Sequence, residues 1–126
     1  MNNIKLIYLY RDAGNYKQWA EVVFSNPDRL ALEAVTKTLT DAFLPDSLFI
    51  AHQVRLPEAF MFTEGDATSD DHCFHEFAVA EITLEAPNDN HARSIGQFIA
   101  EVEREAKCGW KAFDPHDTLL RRMNTT

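Results

Sequence analysis

Residues 4–24 read IKLIYLYRDAGNYKQWAEVVF, two apolar runs separated by a polar turn. The first run, 4–11, is short and rich in Ile, Leu and Tyr, which is typical of a strand buried on both faces. Gly14 and Asn15 can take the positive φ angles of a tight turn. The second run alternates, so that one face carries Ala20, Val22 and Phe24 and the other carries Lys17, Trp19, Glu21 and Val23. The stretch therefore predicts a β-hairpin.

Two helices and two further strands are predicted after the hairpin. Asn26-Pro27-Asp28 is a helix start signal, and Pro45-Asp46 should end that helix. Residues 47–56 and 74–85 read as strands, the latter with Ala78, Ala80, Ile82 and Leu84 on one face and Phe77, Val79, Glu81 and Thr83 on the other. A second helix is expected from 87–90 to Gly109. The order ββαββα predicts an α+β fold, a two-layer sandwich of a mainly antiparallel four-stranded sheet with two helices on one face.

Length and composition predict one globular domain. The chain has 126 residues, 45% of them hydrophobic, and we expect residues 121–126 to be frayed. The net charge of −8 argues against a nucleic-acid partner, and no apolar run is long enough to span a bilayer. Two cysteines give no disulfide framework, and the first residues lack the features of a signal peptide. We therefore expect a cytoplasmic protein with no membrane partner.

Acidic residues are concentrated in one segment. Between Leu56 and Ala92 there are nine Asp and Glu and no Lys or Arg, whereas the rest of the chain carries 12 basic and 11 acidic residues. Such a segment favours a basic protein surface, for which the candidate contacts are Phe60, Phe62, Glu64 and Asp66. The alternative is that the aromatic residues belong to the core and the acids only keep the protein soluble.

A second candidate lies at the end of this segment, in Asp70-Asp71-His72-Cys73-Phe74-His75-Glu76. Imidazole and carboxylate groups together suit a divalent transition metal, with candidate ligands His72, His75, Asp70, Asp71 and Glu76. Positions three apart on a strand face opposite ways, so the two rings converge only if the chain bends near Cys73. The alternative is that His72 lies in solvent and that His75 and Glu76 flank the start of a strand.

The hairpin turn is the third candidate. Arg11, Asp12, Asn15 and Lys17 could hold a small anion or a carboxylate, or they could only form turn hydrogen bonds and cross-strand pairs. The four glycines do not cluster into a phosphate-binding loop, and no nucleophile elbow occurs. We therefore expect a protein-binding domain without catalytic activity or cofactor, with a basic partner or a homo-oligomer. The alternative is a metal-binding protein or metal-dependent hydrolase.

Overall fold

The computed structural model describes residues 2–11, 16–59 and 72–113. It contains the strands β1 (Asn3–Arg11), β2 (Lys17–Phe24), β3 (Leu48–Phe49) and β4 (His75–Thr83) and the helices α1 (Leu32–Ala42) and α2 (Ile95–Cys108). The strands form one sheet in the order β2-β1-β4-β3, and each neighbouring pair is antiparallel. The prediction of an α+β fold with four antiparallel strands and two helices is confirmed.

The predicted hairpin supplies one central strand, β1, and one edge strand, β2. β1 pairs with β2 in a register that runs from Ile4 opposite Phe24 to Arg11 opposite Lys17. Alternation then sends one set of side chains toward the helices, where α1 contributes Val35 and Leu39 to the core. The sheet residues in this core are Ile4, Leu6, Tyr8, Val22, Phe24, Phe77 and Ala80, and α2 adds Ile95, Phe98, Ile99 and Val102.

The face pattern expected for the fourth strand is wrong at its first half. The register between β1 and β4 shifts at one point, with Ile7 opposite Val79 but Tyr8 opposite Phe77. The extra residue, Ala78, is a β-bulge, and it turns Phe77 to the face opposite Val79. Phe77 is therefore buried in the core, whereas Val79 is 42% exposed.

Both helices begin later than predicted. The Asn26 side chain accepts from the N–H of Leu30 and donates to its carbonyl, so it closes a separate turn instead of capping a helix. α1 starts only at Leu32. α2 starts at Ile95 behind Ser94, which forms a reciprocal capping box with Gln97. The expected end of α2 is correct, since it stops at Cys108 with Gly109 at φ 99°.

The third strand is much shorter than the predicted 47–56. Only Leu48–Phe49 pair with β4, and His52–Val54 form a 3-10 turn that ends with Arg55 in the left-handed region. A distant side chain explains why the strand is short. The buried guanidinium of Arg93 donates to the carbonyls of Val54 and Arg55 at 2.7 and 2.9 Å. Those two acceptors are thus held by a side chain and not by a neighbouring strand.

Every N–H of the Arg93 guanidinium has an acceptor. Besides the two carbonyls, it donates twice to Asp89 at 2.9 Å and once to Glu101 at 3.0 Å. Glu101 also pairs with Arg55, and the Arg93 guanidinium lies over the Phe98 ring at 5.1 Å. This network ties the start of α2 to the 3-10 turn.

In the part of the chain that the structure describes, no helix is long and apolar enough to cross a membrane.

Candidate functional site

The two histidines of the predicted metal cluster both lie against Tyr10 of β1. The ring centres of His72 and His75 are 5.0 and 5.5 Å from that of Tyr10, and the Tyr10 hydroxyl donates to the His72 carbonyl at 3.0 Å. The structure therefore brings the two imidazoles to the same aromatic ring. They are held there in different ways.

His72 is fixed by two backbone groups. Its Nδ1 accepts from the N–H of Phe74 at 3.1 Å, which puts the ring proton on Nε2. Nε2 then donates to the Arg11 carbonyl at 2.7 Å. The one lone pair of the neutral ring is thus already in use. His72 is half-buried and joins the start of β4 to the end of β1, so it does not lie in solvent, whereas the other part of that alternative, with His75 and Glu76 at the start of a strand, is correct.

His75 is completely buried. Its Nε2 accepts from the N–H of Ala59 at 2.8 Å, and its ring packs against Tyr8 and Phe49. Burial lowers the pKa of His75 to about 4, and the nearby His72 acts in the same direction, while a backbone hydrogen bond with Cys73 opposes it. His75 is therefore neutral at pH 7, and its accepting nitrogen serves the fold.

Glu76 points away from His75. It follows His75 in β4, so its side chain lies on the other face of the sheet, where it pairs with Arg11 at 3.4 Å. Asp70 and Asp71 lie outside the described residues, and within the described ones no three His, Cys, Asp or Glu are grouped so as to hold a metal. The metal hypothesis stays a prediction, and neither imidazole offers it an uncommitted lone pair.

Cys73 lies between the two histidines without being activated by either. Burial raises the pKa of its thiol, and its Sγ accepts a hydrogen bond from the N–H of Phe113 at 3.4 Å. A nucleophilic cysteine needs a lowered pKa. The arrangement at Cys73 is that of a packed thiol.

The predicted turn site is described only in part. Arg11 and Lys17 lie opposite each other across the hairpin, and Arg11 binds Glu76 of β4. Asp12 and Asn15 lie outside the described residues. A cavity of about 340 Å³ opens beside Arg11, and its lining consists of Arg11, Asp46, Leu48, His72, Phe74 and Glu76. Residues from two separate predictions, the turn and the metal cluster, thus meet at one cavity.

The predicted contacts of the acidic segment, Phe60, Phe62, Glu64 and Asp66, also lie outside the described residues. What the structure shows is how both ends of residues 60–71 are attached. Tyr8 donates to the Pro57 carbonyl at 2.6 Å, Ala59 binds His75, and Tyr10 binds the His72 carbonyl. Two tyrosines of one strand therefore hold the chain just before and just after this segment.

A surface that the sequence analysis left without a function lies on the sheet side away from the helices. We call it the open face, and it consists of Lys5, Ile7, Leu9, Arg11, Lys17, Trp19, Glu21, Val23, Glu76, Val79 and Glu81. Its centre is apolar, with Trp19 55% and Val79 42% exposed. Ile7 lies opposite Val79 and is half-buried, and Leu9, between Trp19 and Glu76, is buried. The sequence signal that could have revealed this surface is Trp19, a tryptophan on the face of β2 opposite the core residues.

Charged residues surround this apolar centre. Arg11 and Lys17 lie at one end of the open face, with Glu76 paired to Arg11. At the other end Glu21 pairs with Lys5 at 3.8 Å, and Glu81 lies opposite Lys5 in the register. An apolar centre with a charged rim is the usual arrangement of a protein interface.

Comparison with known proteins finds no matching family model, no matching curated protein and no matching solved structure.

Proposed function

We propose that this protein acts by binding another polypeptide chain rather than by catalysis, and that the open face is its binding surface. The observation that carries the proposal is the exposure of Trp19 and Val79 on the sheet face away from the core residues of both helices. The two side chains stand on either side of β1, with Ile7 and Leu9 between them. Leu9 is 1% exposed and Ile7 is half-buried, so the apolar surface that remains accessible is that of Trp19, Val79 and part of Ile7.

Burying such a patch is favourable. Exposed apolar residues that occur singly are normal on soluble proteins, but a contiguous group with a polar rim marks an interaction site. Tryptophan is among the residues that contribute most to binding, since it removes a large apolar area from water. A rigid sheet also presents the patch with little loss of conformational entropy, because β1 is held by a neighbouring strand on both sides.

The chemical groups described above favour binding over catalysis. The accepting nitrogens of His72 and His75 hold backbone N–H groups, and the Cys73 thiol is buried with a raised pKa. The acid-rich segment 60–71 fits the same proposal as a second contact region for a basic partner, a prediction that concerns residues outside the described ones.

Site-specific photo-crosslinking tests the proposal. A benzophenone amino acid at position 19 should give a covalent adduct with another polypeptide in living cells of the native host. The matched control is position 82, because Ile82 is 46% exposed but lies on the opposite face of the same sheet. We expect the adduct from position 19 to disappear with Val79→Arg and to persist with Ile82→Arg. No adduct from position 19 above that from position 82 would show that the open face is not an interface.

A further inference from the structure

A cavity of about 590 Å³ lies at the end of β4, on the side of the sheet that faces the helices. The described residues that line it are Asn2, Asn26, Arg29, Leu30 and Ile82. We infer that this cavity binds an aliphatic carboxylate, with the carboxylate group at Arg29 and the hydrocarbon chain along Leu30 and Ile82. The open face lies on the other side of the sheet, so this inference does not depend on the proposed function.

The apolar part of the lining exists because the helices do not cover this end of the sheet. Ile82 lies beside Ile4 on the core side, yet Ile82 is 46% exposed and Ile4 is fully buried. A second wall is the half-buried Leu30, whose backbone is held by Asn26 in the turn before α1. Two apolar side chains thus line the space between the sheet and this turn, and a hydrocarbon chain bound there would remove them from water.

The polar part of the lining offers hydrogen-bond donors. Arg29 is the one charged residue among the described residues that line the cavity, and its planar guanidinium can bind a carboxylate through two parallel hydrogen bonds. Asn26 is 5% exposed, and one hydrogen of its amide donates to the Leu30 carbonyl at 3.1 Å. Its second hydrogen has no acceptor among the described residues. A buried donor of this kind favours a ligand that can accept from it.

The acids nearest to the cavity are directed elsewhere or compensated. Glu81 and Glu85 lie on the side of the open face, where Glu85 binds Lys5 and Glu81 lies opposite Lys5 in the register. Asp28 and Glu33 each lie at the first turn of a helix, Asp28 against α2 and Glu33 within α1. The positive end of a helix dipole offsets a carboxylate at such a position. The guanidinium therefore sets the sign of the charge that the cavity presents to a ligand.

The volume and the lining fit a small molecule with a hydrocarbon chain. Small-molecule sites typically enclose about 300–1,000 Å³, and this cavity of about 590 Å³ lies within that range. Each methylene group that enters should strengthen binding about threefold to fourfold. The Kd should therefore fall roughly tenfold for every two carbons added between butanoate and octanoate. Acetate lacks the chain and 1-octanol lacks the charge, so both should bind at least about tenfold more weakly than octanoate.

Titration of the ¹⁵N-labelled full chain with octanoate, followed by NMR, tests this inference. We expect saturable shifts of the backbone N–H of Leu30 and of the side-chain amide of Asn26, with a Kd below about 1 mM. Arg29→Gln should raise the Kd at least about fivefold, because it removes the charge that the carboxylate meets. The matched control is Arg104→Gln, which removes the same charge from a 65% exposed side chain on α2 and should leave the Kd within about twofold.

A second pair of variants tests the apolar wall. Ile82→Ala should weaken octanoate binding at least about threefold and leave acetate binding unchanged, because only the hydrocarbon chain contacts this side chain. Val79→Ala, on the opposite face of β4, should leave the Kd of octanoate within about twofold. Three results would each overturn the inference: no saturable shift at Leu30 and Asn26 up to about 10 mM octanoate, equal effects of Arg29→Gln and Arg104→Gln, or 1-octanol binding as tightly as octanoate.

Discussion

Replacing Arg93 by Met should cost more stability than any other single change to a charged residue in the described structure. The side chain is 5% exposed and donates all five of its N–H groups, three to the carboxylates of Asp89 and Glu101 and two to the carbonyls of Val54 and Arg55. Methionine keeps an apolar stem but removes every side-chain donor and the guanidinium that lies over the Phe24 and Phe98 rings. The change therefore removes the hydrogen bonds, the charge and its contact with the two rings together.

The magnitude follows from what is left behind. Removing one partner of a buried ion pair costs about 3–5 kcal/mol, because the remaining charge is neither hydrated nor paired. Asp89 is the group affected, since its side chain is 1% exposed and Arg93 is its ion-pair partner within the described residues. Glu101 keeps Arg55 and loses less. We expect a loss of about 3–5 kcal/mol in the free energy of unfolding, a large share of the roughly 5–15 kcal/mol of a typical domain.

The loss should depend on pH. Burial raises the pKa of Asp89, but the hydrogen bonds and charge of Arg93 outweigh it, so the pKa lies below its ordinary value. A carboxyl with a lowered pKa stabilises the fold above its unfolded pKa, and that stability is lost as the pH falls through the folded pKa. Without the guanidinium, the effect of burial is opposed by the backbone N–H of residue 93 and by His91 alone, so the pKa of Asp89 should rise, and protonation then relieves the unpaired charge. The difference between variant and wild type should therefore be smaller at pH 4 than at pH 7.

Urea unfolding followed by circular dichroism at pH 7 and pH 4 measures both effects. The matched control is Arg104→Met on the same helix, because Arg104 is 65% exposed and lies 3.9 Å from the same Glu101. An exposed pair of this kind should contribute less than about 0.5 kcal/mol. If Arg93→Met costs no more than Arg104→Met, or if its cost is the same at both pH values, the interpretation of the network is wrong.

Two further changes test the backbone-binding histidine and the helix end. The pKa of His75 is about 4 in the folded chain, below its ordinary value of 6.5. Between these two pH values the unfolded chain binds a proton that the folded chain does not. The free energy of unfolding should therefore fall by up to about 3 kcal/mol as the pH is lowered from 6.5 to 4. In His75→Gln the amide oxygen can still accept from the N–H of Ala59, but the side chain no longer titrates. Urea unfolding should therefore show that this part of the pH dependence has vanished. An unchanged profile would assign the pH dependence to other groups. Gly109→Ala should lower the free energy of unfolding by about 1–3 kcal/mol, because φ is 99° and the added Cβ meets no atom within 4 Å, leaving backbone strain as the cost. A thermal midpoint equal to that of wild type would show that α2 can end differently.

The sequence determined the features that depend on local spacing. Strict alternation over residues 17–24 sets which side chains of β2 face the core, since successive residues of a strand point to opposite faces. Gly109 marks the end of α2 because it can adopt a positive φ angle without a Cβ clash. The fold class followed from such local signals added along the chain.

The tertiary structure decided the features that depend on distant partners. The bulge at Ala78 moved Phe77 into the core, and no periodicity within β4 reveals a bulge that forms only against β1. Donors at Ala59 and Phe74 fixed the protonated nitrogen of each histidine, which residue spacing does not encode. The exposure of Trp19 and Val79 has the same origin. Alternation assigns each of them to one side of its strand, but the packing of core residues from both helices against the other side decides that these two side chains are exposed.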